Sequence, residues 1–565
     1  MRRTILALAM SLWAASASAQ DGTTVGTLQL ASTFDCIGVT ASFTGDANAN
    51  NSATVEYKTS ASETWLAAYT PMVDRRTTIS GDANPYVNQF RGSVVGLAAG
   101  TTYDVRVTYS DGDGVSGGLT LSSSVTTIAS TVPGLTGTDR YATNDSTLAT
   151  ALGAATAGDT IHLAAGTYSP FTLSVSGTAE NWIALIGDNR DTTIISGGIT
   201  DLTVSANYVQ IKNLRFQKPS TSGTTQGIVV AISASAHHVW LDNLHFEDLP
   251  LPGGGASYGN ATVNLGSGVH HVYVLNSLFH APSLASKPDK DYDVGGFGVQ
   301  MSTLAADGTI VVKGNTFDGK FQDAIGGTPE SFGYSQWNNS DVANNTISGY
   351  SDDGIQTEGD TVNVRIWGNT VTASVGWSCL AQQTAFAGPV YVFRNVLIGT
   401  GSDQSIFKSN GASYVFAFHN TADASSTTDN VISGTTVNWV ARNNIWLGSN
   451  YSILYGPGSL ATGSFDYDLY YPNTNVCSAY PSSLADWKAA VSGQEVNAPA
   501  PALPGFLNAA KQIDAASPAY NVGVTLANFN TATSAWPSIG AGPDLGYFEV
   551  GSGSAPTAPT NVRIR

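Results

Sequence analysis

Apolar and polar residues alternate in short bursts along this chain, and in its middle the bursts repeat. The copies are VQIKNLRF ending at Phe216, VWLDNLHF at Phe246, VYVLNSLF at Phe279 and IVVKGNTF at Phe317. They continue as DVANNTI at Ile347, VRIWGNTV at Val371, VYVFRNVL at Leu397, VFAFHNTA at Ala422 and WVARNNIW at Trp446. Successive copies end 30, 33, 38, 30, 24, 26, 25 and 24 residues apart. Alternation of this kind sets one face of a strand in a core and the other outside. A strand that returns at this spacing, without the Trp-Asp signature or the ~40-residue period of a propeller blade, predicts a solenoid of stacked rungs.

Each copy places asparagine near its end. Asn213, Asn243 and Asn276 take the fifth position, whereas Asn315, Asn369, Asn395 and Asn420 take the sixth. Asparagine tolerates the left-handed backbone of a sharp corner, and stacked asparagines can hydrogen-bond to one another from rung to rung. The repeats therefore predict a parallel β-helix with an asparagine ladder at one corner.

With these residues in view, the sequence resembles the right-handed parallel β-helix superfamily of pectate lyases, polygalacturonases and alginate lyases. AGDTIHLAAGTY (Ala157–Tyr168) resembles its first rung, and SPAYNVG (Ser517–Gly523) with PDLGYFE (Pro543–Glu549) resembles the closing segment of its secreted bacterial members. The resemblance covers about three-quarters of the chain and implies an enzyme acting on an extracellular polysaccharide. Upstream, short alternating strands such as TVEYKTS and YDVRVTYSD lie between Gly, Asn and Asp turns, the pattern of a β-sandwich. LAAGTTYDVRV (Leu97–Val107) resembles the fibronectin type III signature, in which Tyr103 would be the corner tyrosine. The fold class expected is all-β: an immunoglobulin-like or fibronectin type III sandwich over residues 21–128, then a right-handed parallel β-helix over 129–550. Residues 551–565 read as a flexible tail. Thr127–Arg140 reads as the linker, Ser146 as the N-cap of a short helix closing the solenoid's first rung, and Tyr467–Pro504 as a long irregular loop.

Composition adds the compartment. Met1–Gln20 pairs two arginines with a short apolar run and an Ala-Ser-Ala site, which reads as a secretory signal, and its apolar run is too short to span a membrane. Cleavage after Ala19 leaves 22 basic against 42 acidic side chains, which disfavours nucleic acid and anionic lipid as partners. The expected protein is a secreted or periplasmic monomer. Cys36, Cys379 and Cys477 are too few and too far apart for a disulfide framework or a closed zinc site. The excess of 60 Gly with many Asn, Ser and Thr is the corner chemistry of a solenoid.

Candidate chemistry gathers in successive rungs. FQDAIGG, SDDGIQTEG, WSCLAQQ and QSIFKSN align as equivalent strands, with Ile325, Ile355, Leu380 and Phe407 as the inward column. Asp352, Gln356 and Glu358 then point outward, and Lys408 shares the column of Gln356 two rungs on. Asp323 and Asp353 have inward parity but stand at strand starts, where a corner can turn them outward. Asp323, Asp352, Asp353, Glu358 and Lys408 are the candidate catalytic residues, with Gln356, Trp377 and His245 as candidate substrate contacts. The reading favoured is glycoside hydrolysis by two carboxyl groups, one with its pKa raised by like-charge crowding. It requires no cofactor. Asp-Asp-Gly resembles the paired aspartates of polygalacturonase-type hydrolases, but that family's Asn-x-Asp, Gly-His-Gly and Arg-x-Lys strands are not found at matching spacings. The rival reading is β-elimination from a uronate polymer, with Ca²⁺ held by Asp323, Asp352, Asp353 and Glu358, and Lys408 as a base of depressed pKa. A third is a non-catalytic carbohydrate-binding or surface-structural protein using the same face.

Other features have plainer readings. Asp289, Asp291 and Asp293 alternate as Ca²⁺ loops do, without the Gly and distal Glu of a helix–loop–helix site. His237-His238 and His270-His271 precede equivalent strands and read as repeat corners first, ligands or bases second. Trp337, Trp367, Trp377 and Trp446 are candidates for stacking on sugar rings. No phosphate loop, zinc-protease motif or Gly-x-Ser-x-Gly elbow is present.

Overall fold

The computed structural model describes residues 21–76, 87–217, 227–247, 261–281, 296–301, 308–326, 337–359, 361–373, 378–382, 388–400, 405–409, 414–425, 431–434, 438–449, 454–455, 463–473, 476 and 483–551. Met1–Gln20, Trp377, Cys477, the Asp289–Asp293 triplet and the C-terminal tail lie outside them.

Two antiparallel sheets open the chain. One runs in the order Met72–Asp74, Asn88–Val94, Ile37–Gly45, Thr23–Ser32, Val115–Ser116, where the last pair is parallel. The other runs Leu66–Ala67, Ser52–Thr59, Thr102–Ser110, Thr120–Thr126. Alternate residues of both faces, among them Val39, Phe43, Val55, Val105 and Val107, fill the space between them. The Tyr103 hydroxyl accepts from the Ala98 amide at 3.0 Å, so this side chain ties its strand to upstream backbone.

Beyond it the chain winds into a right-handed parallel β-helix. Among the described residues its three sheets have 13, 12 and 11 strands, each strand paired in register with its counterpart one rung away. The nine repeats contribute consecutive strands of the first two sheets, with a left-handed residue between them. That residue is the fifth of each eight-residue copy and the fourth of DVANNTI: Asn213, Asn243, Asn276, Gly314, Asn344, Gly368, Arg394, His419 and Asn443 all have φ between 51° and 73°. The sixth residue points inward and is Leu214 and Leu244 in the first copies, then Ser277, then asparagine. From Asn315 through Asn345, Asn369, Asn395 and Asn420 to Asn444, each Oδ1 accepts both the backbone amide and the Nδ2 of the preceding asparagine, the Ser277 amide alone at the first step. Each Nδ2 also donates to a carbonyl on the preceding rung, as Asn395 does to Ile366 at 2.9 Å. The two asparagine positions thus do different work: the fifth turns the backbone and the sixth satisfies buried polar groups.

Both ends are closed. The helix Asp145–Ala154 buries Leu148 and Ala151 against the first rungs. Its N-cap is Asn144, not Ser146, because Asn144 accepts from the Thr147 amide and the Asn144 amide donates to Thr147 Oγ1. At the other end the segment expected as a loop carries a second helix, Leu484–Ala490, whose Trp487 packs on Phe465 and Tyr470. The expected linker gives its last residues to the strand Asp139–Ala142, which opens the first sheet.

The sandwich lies along the outer face of that first sheet. Cys36, Met72 and Val95 pack with Trp367, Tyr391, Phe393, Phe416 and Phe418, and with Leu526 and Phe529 of the closing segment. Phe34 packs edge-on against Trp240 and Tyr273. Beneath this seam the fully buried Arg365 pairs with Asp341 at 2.7 Å and donates to the carbonyls of Asn363 and Asn339. The sandwich therefore occupies one of the three faces.

Candidate active site

The acidic residues picked from the sequence converge on the third sheet. Register pairs Ile355 with Ile325, Leu380 with Ile355 and Phe407 with Leu380, which is the inward column expected. Gln356, Ala381 and Lys408 form the adjoining outward column. Single carboxylate oxygens of Asp323, Asp352 and Asp353 lie within 4.8 Å of one another. Lys408 reaches down from two rungs on, its Nζ 3.1 Å from Asp353 Oδ2 and 4.0 Å from Asp352 Oδ1.

Corner geometry makes this possible. Asp353 opens its strand, directly after the turn that follows Thr346–Tyr350, and its side chain swings to the Lys408 side despite its inward parity. It is fully buried there, and Ser378, its partner one rung on, donates to Asp353 Oδ1 at 2.5 Å. Asp323, one rung below, is nearly as buried, and its Oδ1 accepts the Asp353 amide at 3.0 Å. Only Asp352 and Lys408 keep solvent contact, with side chains 17% and 24% exposed. The cluster is a buried acidic floor under an exposed carboxylate and ammonium.

Electrostatics follow from that burial. Desolvation pushes the Asp323 carboxyl well above the usual carboxylate range, and the charges of Asp352 and Asp353 push it further. For Lys408, burial is the largest single influence and favours the neutral amine. The carboxylates of Asp353 and Asp352 together outweigh it and hold the pKa above the ordinary lysine value. This corrects the expectation of a depressed Lys408: in the ion-free cluster it is firmly protonated, because its reach to Asp353 is a direct contact and not the two-rung separation of the strands.

Other expected residues sit differently. Gln356 and Glu358 have outward parity, yet both are buried, with Gln356 Nε2 donating to Glu358 Oε2 at 3.2 Å. Glu358 still acts on Lys408 through its charge. His245 is not brought to the cluster. It lies on the second sheet with its ring held between Asp191 (2.9 Å) and Glu247 (2.8 Å). Trp337, Trp367 and Trp446 are buried and do not offer a face to a sugar ring. Ser378 was missed as a site residue. Its alignment with Asp353 across one rung was the available signal.

The chain matches no family model, and no curated protein matches it. Among solved structures it is similar to the PL6 family alginate lyase AlyGC, at 13% identity and a TM-score of 0.40 over 59% of this chain. A mutant of the same lyase aligns at 12% identity with a TM-score of 0.31. The matched region spans about half the length of those lyases, 51% in each case.

Proposed function

We propose that the protein cleaves a uronate-containing extracellular polysaccharide by β-elimination at the Asp323–Asp352–Asp353–Lys408 cluster, with a calcium ion as cofactor. The observation that carries the proposal is the convergence itself: carboxylate oxygens of Asp323, Asp352 and Asp353 lie within 4.8 Å of one another, with Lys408 Nζ 3.1 Å from Asp353. Burial first, and then the charges of Asp352 and Asp353, raise the Asp323 carboxyl. Hard oxygen donors at this spacing fit Ca²⁺, and Asp323, Asp352 and Asp353 would hold it. When bound, the ion would offset their charge and draw in a uronate carboxylate, which eases loss of the adjacent C5 proton.

Lys408 is the side chain placed to accept that proton. It stands at the half-buried edge of the floor, where Asp353 and Asp352 hold it protonated; with those charges offset by bound Ca²⁺, it would act as the neutral amine that burial favours. As the C5–H bond breaks, a C4–C5 double bond forms, the C4–O bond breaks, and the leaving oxygen takes up a proton from water while Lys408 keeps the C5 proton. Asp353, locked by Ser378 and by its own strand, fixes Lys408 in position. Hydrolysis is the second reading, favoured by a carboxyl of raised pKa at Asp323. Against it stands access: Asp323 is buried and engaged with backbone, whereas a general acid must reach the glycosidic oxygen.

A panel of uronate and neutral polysaccharides tests this, read both for reducing ends and for the ultraviolet absorbance of the unsaturated product. Elimination gives both signals and is lost on chelation and restored by Ca²⁺. Reducing ends without the absorbance indicate hydrolysis, and no cleavage of any member removes the enzymatic reading.

A further inference from the structure

A second constellation lies away from the acidic cluster, at a corner of the first sheet. His237 and His270 are opposite each other in register, and His238 and His271 follow them with φ of 55° and 54°. The left-handed turn brings consecutive rings to the same side, so that His237 Nδ1 and His238 Nδ1 are 2.9 Å apart and those of His270 and His271 2.8 Å. Rungs then stack the pairs: His237 on His270 at 4.8 Å between centroids, and His238 on His271 at 4.5 Å. Ligand nitrogens of His238, His270 and His271 lie within 4.8 Å of one another.

We infer that this histidine tetrad is a binding site for a divalent late first-row transition-metal ion, with Cu²⁺ the best fit. Two nitrogens bound at about 2.0 Å and 90° to each other are about 2.8 Å apart, the bite each pair already has, whereas a tetrahedral ion asks for a wider one. In each pair one Nδ1 carries the proton that the other accepts. Loading the site moves that proton to Nε2 of its own ring, so both Nδ1 lone pairs face the ion and no proton is lost. The stacked pairs, 4.5–4.8 Å apart, must close by about 2 Å, with the rings tilting out of their stack, for one ion to reach all four nitrogens; ligand nitrogens of His238, His270 and His271 already lie within 4.8 Å of one another.

The surroundings suit the role. Tyr208 stacks on His238 at 4.6 Å. His238 and His271 line a cavity of about 360 Å³ walled by Trp182, Tyr208, Trp240 and Tyr273, with Thr126, Ile128, Ala129, Thr131 and Pro133 of the sandwich and linker closing the other side. The site thus lies where the sandwich meets the rungs, in chemistry distinct from the hard-oxygen cluster of the third sheet.

The test is titration of the untagged, metal-stripped full chain with Cu²⁺, followed by calorimetry and electron paramagnetic resonance. One ion per chain and hyperfine coupling to three or four nitrogens are expected. The double variant His238→Asn/His271→Asn should bind at least about tenfold more weakly. Asparagine suits the left-handed backbone at both positions, so this variant should keep the wild-type melting curve. His162→Asn, at a histidine paired with Asp139, should change nothing. Binding that survives the double substitution, or a wild-type spectrum without nitrogen coupling, overturns the site. The spectrum decides alone if the double variant fails to fold.

Discussion

Two buried acidic clusters in this molecule invite comparison. One is the floor of the candidate active site, Asp323 and Asp353 beneath Asp352 and Lys408. The other is the end of the asparagine ladder, where Asn444 donates its amide and Nδ2 to Asp468 Oδ1 at 2.6 and 2.9 Å. The Asp468 amide in turn reaches Glu495, which also accepts from the Tyr470 hydroxyl. Burial raises the carboxyl pKa in both places. At the ladder end Asp468 Oδ1 and Glu495 accept from donors inside the core, Asp468 Oδ2 has no hydrogen-bond partner, and both residues are fully buried. The third-sheet cluster holds a cation and keeps one carboxylate at the surface. Perturbed acidity alone would rank the two alike, and partners and access separate them.

The largest effect that should break the comparison is on activity. Lys408→Met and Asp353→Asn should each lower turnover at least about 100-fold. The double variant should be no worse than the poorer single, since both act on one group. Asp468→Asn should leave turnover unchanged. Steady-state kinetics on the cleaved polysaccharide checks all four. Activity that survives Lys408→Met would detach the lysine from the chemistry.

Next in size is the ladder itself. Asn395→Ala removes the acceptor of the Asn369 amide and Nδ2, and the donor to Ile366. Buried groups left unpaired there should cost roughly 2–5 kcal/mol, read from denaturant unfolding. A loss below about 0.5 kcal/mol would mean that the ladder is ornament to the packing.

Much of this was legible in the sequence. Period-two alternation and the regular return of one strand motif specify rungs, and register arithmetic from Ile325, Ile355, Leu380 and Phe407 brought Lys408 to the acidic residues. Corners decide where parity leaves the matter open: Asp353, inward by count, turns to meet Lys408 as its place at a strand start allowed, whereas Glu358 counts as outward but is buried. Asparagine suits both a left-handed turn and a buried hydrogen-bond relay, so its type could not separate the fifth position from the sixth. The outward positions of the first sheet carried an unread signal. Trp240, Tyr273, Trp367, Tyr391, Phe393, Phe416 and Phe418 are too apolar for an open face, and the sandwich covers them. The helix Leu484–Ala490 escaped because its seven residues show only two core contacts, Leu484 and Trp487.

A third prediction concerns pH. Asp468 has a folded pKa of about 6 against an ordinary 3.8. The proton therefore binds the folded chain more tightly, so its stabilisation is complete below about pH 4 and is lost as pH rises to about 6. Glu495 shifts in the same direction. Unfolding free energy should fall across that window by roughly 2–3 kcal/mol from this group. Asp468→Asn, which continues the ladder with a neutral amide, should flatten this limb and raise stability at neutral pH. An unchanged pH profile would show that Asp468 does not carry it.

The smallest effect is the most discriminating, because it has opposite signs for stability and activity. The Asp352 charge pushes Asp323 upward and meets Lys408 only at 4.0 Å, the edge of an ion pair. Asp352→Asn removes the repulsion and leaves Lys408 to Asp353. Ion-free stability should hold or rise by up to about 1 kcal/mol, while Ca²⁺ affinity and turnover fall. Thermal melting with and without Ca²⁺ separates the terms: the wild type should gain stability from the ion and the variant should gain little. If Asp352→Asn instead unfolds more easily without Ca²⁺, its carboxylate is a structural partner of Lys408. The acidic floor would then resemble the ladder end after all.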